Sequence, residues 1–425
     1  MKVAFYTLGC KVNLYETEVL MNLFKKNNYE ITDFNNISDV YVINTCTVTN
    51  TSDSKSRKII RQVIKRNPNA IVVVMGCYSQ VKSNEVKQIE GVDIIIGNND
   101  KSKIIELIND FKNTKEKILN VKDIKNIDFE PMELDNFETR TRAFVKIQDG
   151  CDNYCSYCII PYSRGNIRSK DMIKVIDEIK NLVNNGYVEV VLTGIHTGHY
   201  GKDKKEYDFS DLLNELCKIN GLERIRISSI EITELDNKFM DILKNNKKIV
   251  NHLHIPLQSG CNKTLKDMNR KYDTKYFKDK INEIRNIRPE ISITTDVIVG
   301  FPNESEEDFN STLNFIKEMK LTKLHVFPFS KREGTKAAKM SGQLNNNIKK
   351  TRVRKLLEIS EYLEKNYMEK FIGKELEVIT EKYDNGYLIG YSSNYIQIKF
   401  KGSENQIGNI CTIKINEINY PYLVG

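Results

Sequence analysis

Gly150-Cys151-Asp152-Asn153-Tyr154-Cys155-Ser156-Tyr157-Cys158 places three cysteines at a C-x₃-C-x₂-C spacing inside one short loop. Thiolates are soft ligands, suited to zinc or to iron–sulfur clusters. A structural zinc site closes with four ligands, so a zinc knuckle here needs a fourth ligand from elsewhere in the chain. A cubane cluster has four irons, and three thiolates leave one iron open to hold a substrate.

The loop follows a short apolar run at 143–147, and similar runs recur at 188–192, 224–227, 251–255, 292–299 and 323–327. Helical patterns separate them. Six strand–helix units predict an α/β fold of the incomplete TIM-like (β/α)6 type, whose site lies at the C-terminal strand ends. A cysteine loop directly after the first strand has that placement.

Upstream, strands are predicted at 3–8, 40–43, 71–75 and 92–96. Helical spacing at 15–24, a basic helix through Lys55, Arg57, Arg61 and Lys65, and a helix at 104–111 alternate with them. That alternation predicts a doubly wound parallel sheet. Cys10, Cys46 and Cys77 each end one of its strands, the edge where open α/β sheets bind ligands. Position alone allows either a shared site or three ordinary buried cysteines. Residues 121–139 are polar and irregular, with Pro131, and read as a linker. From 370 the pattern turns to short strands at 377–380, 387–391, 395–400 and 410–415, with Asp384-Asn385-Gly386 as a turn. A small β-barrel is the expectation. The predicted domains are 1–120, 140–369 and 370–425, joined by the 121–139 linker.

The 425 residues exceed one ordinary core. No apolar run approaches a membrane span and the start lacks a signal-peptide layout, so a cytoplasmic protein is expected. Nine cysteines in that setting point to reduced thiols and cofactor ligation rather than disulfides. A net charge of +8 is compatible with an anionic partner such as RNA.

The flanks of the cysteine loop, Lys146-Ile147-Gln148-Asp149-Gly150 and Ile159-Ile160-Pro161-Tyr162-Ser163-Arg164-Gly165, resemble the radical S-adenosylmethionine methylthiotransferase family. So do Thr7-Leu8-Gly9-Cys10-Lys11-Val12-Asn13, Asn44-Thr45-Cys46-Thr47-Val48-Thr49 and Gly76-Cys77-Tyr78. The resemblance spans nearly the whole chain and implies two 4Fe–4S clusters. Cys151, Cys155 and Cys158 would hold the cluster that reduces S-adenosylmethionine to a 5′-deoxyadenosyl radical. Cys10, Cys46 and Cys77 would hold an auxiliary cluster carrying the added sulfur. By the same resemblance Tyr157 lies near the adenine of S-adenosylmethionine. Gly194 in the loop after the second strand, Ser229 and Glu231 after the third, Gln258 after the fourth, and Asp296 and Gly300 around the fifth would complete the cofactor site. Asn303 stands where the family commonly has Gly.

Ser330-Lys331-Arg332-Glu333-Gly334-Thr335-Lys336-Ala337 resembles a further family segment, and basic residues continue through Arg352 and Arg354. Lys331, Arg332, Arg352 and Arg354 are the expected RNA contacts; a solvated helix face is the other reading of that run. The carboxy-terminal strands resemble the RNA-binding TRAM barrel. The five histidines are dispersed in sequence and are not read as a metal site, and Cys217, Cys261 and Cys411 read as packing or surface residues. The Leu-Gly-Cys-Lys-Val-Asn opening and the loop flanks look most like the branch acting on N6-threonylcarbamoyladenosine at position 37 of tRNA, in the anticodon stem-loop. That branch replaces the hydrogen on carbon 2 with a methylthio group. The isopentenyladenosine branch, the branch acting on a ribosomal-protein aspartate, and a non-catalytic iron–sulfur RNA binder are the alternatives.

Overall fold

The computed structural model describes residues 1–134 and 141–425. The last part of the predicted linker, 135–139, lies outside the described residues.

Strands β1 (Lys2–Thr7), β2 (Glu30–Thr32), β3 (Val40–Thr45), β4 (Ile71–Gly76), β5 (Ile94–Ile96) and β6 (Ile118–Asn120) form a parallel sheet in the order β2-β1-β3-β4-β5-β6. β3 and β4 are buried along their whole length because helices cover both faces. Val73 and Met75 face the helices Lys11–Lys26 and Ile104–Thr114, whereas Val72 and Val74 face Asn50–Arg66. The chain reverses its winding between β1 and β3, and Cys10 and Cys46 follow those two strands. β2 and β6 are three-residue edge strands too short to carry a pattern in sequence.

The second alternation forms β7 (Ala143–Lys146), β8 (Gln148–Asp149), β9 (Arg168–Ser169), β10 (Glu189–Thr193), β11 (Arg224–Ile227), β12 (His252–His254), β13 (Ser292–Val299) and β14 (Lys323–Pro328). The barrel wall is parallel throughout, as β7-β10-β11 and β12-β13-β14, with a bridge from Ile225 to Ile249 closing the step between them. All six wall strands fall where the apolar runs predict. The following helices start at Asp171, Asp208, Asp236, Asp273, Ser305 and Asn345, and each of these side chains accepts a backbone N–H of the first turn. Such caps contribute about 1 kcal/mol each.

Sheet and barrel share one hydrophobic core. Tyr15, Leu20 and Phe24 of the first helix join a cluster continuous with Phe144, Ile179 and Val190 of the barrel. The segment 121–134 is irregular but packed: Ile124, Met132 and Leu134 are buried, and Glu178 accepts from both the Leu134 backbone and the Tyr15 hydroxyl.

The last strands, β15 (Glu375–Asp384), β16 (Tyr387–Ser392), β17 (Gln397–Lys401), β18 (Ile410–Lys414), β19 (Glu417–Asn419) and β20 (Tyr422–Val424), form a sheet ordered β18-β15-β16-β17-β20-β19. It closes over Val378, Leu388, Ile398 and Leu423, with Met368 and Phe371 from the preceding helix. This unit sits beneath the barrel. Arg224 donates to the Glu377 carbonyl at 2.8 Å, and the Tyr395 ring lies 4.8 Å from His252 and 4.7 Å below the Arg226 guanidinium.

Candidate active site at the junction of sheet and barrel

The cysteine loop hangs from the β8–β9 ribbon. Gly150 adopts φ 76°, and a Cβ there would stand 1.9 Å from the Asn166 carbonyl oxygen, so only glycine fits. The Cys151 N–H donates to Gly165 and the Cys158 N–H to Cys155. Ser156 donates to the Asp267 carbonyl at 2.8 Å, and the Ala337 N–H donates to Ser156 at 2.7 Å. The loop is thus held from three sides before any ligand is added. Arg270 donates to the Cys155 sulfur at 3.3 Å and pairs with Glu231, and the His196 ring nitrogen lies 3.6 Å from the Cys151 sulfur. Burial pushes the Cys151 thiol up and raises Cys158 to about 12, so both keep their protons at neutral pH until a metal displaces them.

Cys10, Cys46 and Cys77 follow β1, β3 and β4. Gly9 at φ 109° lets its loop touch Cys46, whose Cβ would be 2.9 Å from an added Cβ. Burial raises Cys46 to about 11, with Cys77 and Cys10 adding to the shift. Cys10 is raised by burial and feels Cys77 as well. Cys10 is solvent-exposed, whereas Cys46 and Cys77 are buried. None of the three is in a disulfide, and thiols are soft donors of the kind a cluster takes.

Polar side chains that the sequence reading passed over lock the two groups together. Asn98 donates to the Cys77 sulfur at 3.4 Å and to the Ser163 carbonyl at 2.6 Å. Asn13 donates to the Leu8 and Thr45 carbonyls and accepts from Arg164 at 2.6 Å. Arg164 also binds Glu16 at 2.7 Å and Asp149 at 3.1 Å, with Lys101 and Lys146 completing a buried ionic cluster. Asn13 and Glu16 open the helix after Cys10, where a helix pattern gives no reason to expect buried polar groups.

The predicted cofactor residues border the C-terminal strand ends. Tyr157 packs on Met268, Phe301, Phe329 and Ala337. Ser229 and Glu231 follow β11, both partly exposed. Gln258 sits at φ 65°, its N–H donating to Asp296 and its carbonyl accepting from Ile298. Asp296 lies 3.3 Å from His254. The two glycines make room for protein. A Cβ at Gly194 would meet Gln148, which ties the second-strand loop to the cysteine loop through His196 N and Gly150 O. A Cβ at Gly300 would meet Lys349 at 2.4 Å. The rings of His196 and His199, three residues apart, stack at 3.5 Å, and Glu234, distant in sequence, pairs with both. Burial favours protonated Glu234, but hydrogen bonds from the two rings hold it down at about 2. Lys11 is brought down to about 8 by burial and by Arg142 and Arg226.

Two of the four expected RNA contacts are corrected. Arg332 is buried, donating to Asp53 at 2.8 Å and Thr47 at 2.7 Å, and so clamps its segment to the sheet domain. Arg352 is buried against Glu304 at 2.7 Å and Glu306 at 3.2 Å. Neither guanidinium is free to meet a phosphate. Lys331 and Arg354 are exposed, Arg354 in a loose 3.9 Å pair with Glu358.

The chain matches the uncharacterized protein family UPF0004 over residues 2–97 and the Radical SAM superfamily over residues 145–316. The threonylcarbamoyladenosine tRNA methylthiotransferase MtaB of Bacillus subtilis (strain 168) is 48% identical over 430 residues, covering 100% of this chain and 95% of that protein. The protein of the same name from Aquifex aeolicus is 42% identical, covering 98% and 100%. The tRNA-2-methylthio-N(6)-dimethylallyladenosine synthase of Clostridium novyi is 35% identical, covering 99% and 95%. The radical S-adenosylmethionine methyltransferase TsrM from Kitasatospora setae shares the fold, with a TM-score of 0.58 at 14% identity over 77% of this chain and 74% of that one. Such full-length identity, with the cysteines in place, means that this chain belongs to the radical S-adenosylmethionine methylthiotransferases, enzymes that transfer a methylthio group.

Proposed function

We propose that the enzyme converts N6-threonylcarbamoyladenosine at position 37 of tRNA to its 2-methylthio derivative, in the cytoplasm, with two 4Fe–4S clusters and S-adenosylmethionine. The observation that carries the substrate is the 48% identity to a threonylcarbamoyladenosine enzyme along the full chain, against 35% for a dimethylallyladenosine enzyme.

Cys151, Cys155 and Cys158 hold one cluster, and Cys10, Cys46 and Cys77 the other. The bound groups supply one-electron chemistry, a methyl group and sulfur, none of which a side chain offers. Arg270 and His196, set against the sulfurs of Cys155 and Cys151, favour the more reduced state there. Tyr157, Ser229, Glu231, Gln258 and Asp296 line the strand ends where S-adenosylmethionine binds. Asn13, Asn98 and Arg164 keep the two thiol groups at a fixed separation, so that a base held out of its stack meets both. Lys331, Arg354 and the carboxy-terminal strands supply backbone contacts to the anticodon stem-loop.

Nucleoside mass spectrometry of tRNA from cells with and without the gene tests the reading. The 2-methylthio derivative of threonylcarbamoyladenosine disappears on deletion. Loss of the isopentenyl counterpart instead would move the enzyme to the other branch. Absence of 5′-deoxyadenosine formation by the reconstituted protein would make it a binder.

A further inference from the structure

We infer that the outer face of the helix Asn50–Arg66 is a docking surface for the phosphate backbone of the tRNA, in addition to the contacts assigned to Lys331, Arg354 and the carboxy-terminal strands. This rests on the proposed tRNA substrate but not on which nucleoside position 37 carries. The helix holds six basic side chains and one acid, in a chain whose net charge is only +8. Its inner face is apolar, with Ile59, Ile60 and Val63 buried against the sheet. Lys55, Lys58, Arg61 and Lys65 are exposed. They recur at steps of three or four residues and so share the outer face.

What marks this face is that its charges are unmatched. Elsewhere helix lysines sit beside acids: Lys275 with Asp279 at 2.7 Å, Lys280 with Glu283 at 2.9 Å, Lys365 with Glu361 at 2.7 Å, and Lys278 with Glu318. Among the described residues no carboxylate stands within 4.0 Å of Lys55, Lys58, Arg61 or Lys65. The one acid of the helix, Asp53, is buried and engaged by Arg332 at 2.8 Å. Like charges at these spacings destabilise a helix. A polyanion laid along the face reverses that cost and releases its own counterions.

The placement fits a stem that leads away from the strand ends. β3 and β4 are parallel and this helix is their crossover, so it starts at the C-terminal strand edge and runs back along the sheet. From Lys55 to Lys65 the face extends about 15 Å, long enough to follow a backbone over several phosphates. The start of the helix is bonded to the segment after β14. The Asn50 N–H donates to Ser330 at 3.1 Å, and Arg332 donates to Thr47 at 2.7 Å as well as to Asp53. A cavity of about 580 Å³ lies along this seam, with Arg57, Lys82, Lys331 and Lys339 in its lining. Glu85 pairs with Arg57 and Lys82, and Glu333 with Lys82. Lys331 and Lys339 are exposed and have no ion pair among the described residues. The buried Arg332 clamp thus makes the helix face and the 331–339 segment one basic surface.

The test uses the full chain, anaerobically reconstituted, and measures affinity against salt concentration. The probes are three synthetic tRNAs with threonylcarbamoyladenosine, isopentenyladenosine or adenosine at position 37. One variant combines Lys55→Gln, Lys58→Gln, Arg61→Gln and Lys65→Gln. A second combines Lys55→Arg, Lys58→Arg and Lys65→Arg. A control of equal charge combines Lys174→Gln, Lys180→Gln, Lys244→Gln and Lys247→Gln, all exposed on the outside of the barrel. The first variant flattens the slope of log affinity against log salt by about three and weakens binding about 10- to 100-fold in about 0.1 M salt. It does so for all three RNAs alike, because phosphate contacts carry no sequence information. The arginine variant and the control keep the wild-type slope, and iron content and circular dichroism are unchanged throughout. A flattening of less than about two in the first variant overturns the inference. So does a control that flattens the slope equally, or a loss confined to one of the three RNAs. A wild type that binds none of them overturns the proposed substrate itself, a result distinguishable from these.

Discussion

Replacing Glu16 by Gln should destabilise the protein by about 3–5 kcal/mol, the cost of stranding a buried charge. Glu16 is wholly buried and receives Arg164 at 2.7 Å, Lys101 at 2.6 Å and Lys146 at 2.9 Å. Arg164 and Lys146 keep Asp149 after the change, but Lys101 loses its one carboxylate among the described ion pairs. Burial raises the Glu16 pKa, yet the three cations outweigh it and hold the carboxyl well below its usual range. Its stabilising effect is therefore complete above the unfolded value of about 4.3 and is lost as pH falls toward the lower folded value. Urea unfolding followed by circular dichroism on the cluster-free protein measures the loss. Below about pH 4 the wild type should lose stability relative to Glu16→Gln by up to about 1.4 kcal/mol per pH unit. Adding Lys101→Met should restore most of the stability. A neutral-pH loss below about 1 kcal/mol, or a difference between the two proteins that ignores pH, refutes the reasoning.

The reconstituted wild type should hold about eight irons, and triple alanine replacement of either cysteine group about four; a wild-type content near four rejects the second cluster. Arg354→Glu should leave the unfolding midpoint alone and flatten the salt dependence of tRNA binding by about one phosphate contact, whereas Arg352→Glu should unfold the protein by setting a carboxylate against Glu304. A normally folded Arg352→Glu protein would return that residue to the RNA surface. Removing residues 371–425 should weaken tRNA binding and also lower the thermal midpoint, because it strips Tyr395 from Arg226 and His252; an unchanged midpoint contradicts the packing described here.

The wall strands were legible because their signals are local. An apolar run of about five residues carries its meaning within a few positions. The short strands β2, β6, β19 and β20 carry no such signal, and their pairing is set by neighbours far away in sequence. The misreading of Arg332 and Arg352 has the same origin. A basic run looks alike whether its partners are phosphates or Asp53 and Glu304, and the partners lie 279 and 48 residues away. The histidines fail in the opposite sense. His196 and His199 are close in sequence, but nothing marked Glu234 as the acid that draws both rings together.

The shared core also changes what a cysteine substitution can report. A polar stretch at 121–139 suggests two bodies that fold apart, in which case a defect at Cys46 would leave the barrel untouched. Instead Asn13 bonds the Thr45 carbonyl, next to Cys46, and receives Arg164 from the loop that follows Cys158. Asn98 makes the parallel link from the Cys77 sulfur to Ser163. A strain at either thiol group therefore reaches the other through one side chain. The stiffness has a chemical use. Under the proposed function, transfer of a methylthio group to carbon 2 would require the two cysteine groups to keep their separation while the base is held between them. With the lower end of the barrel covered by Tyr395 and Ser393, a flipped base under that reading would have to approach from the C-terminal strand ends.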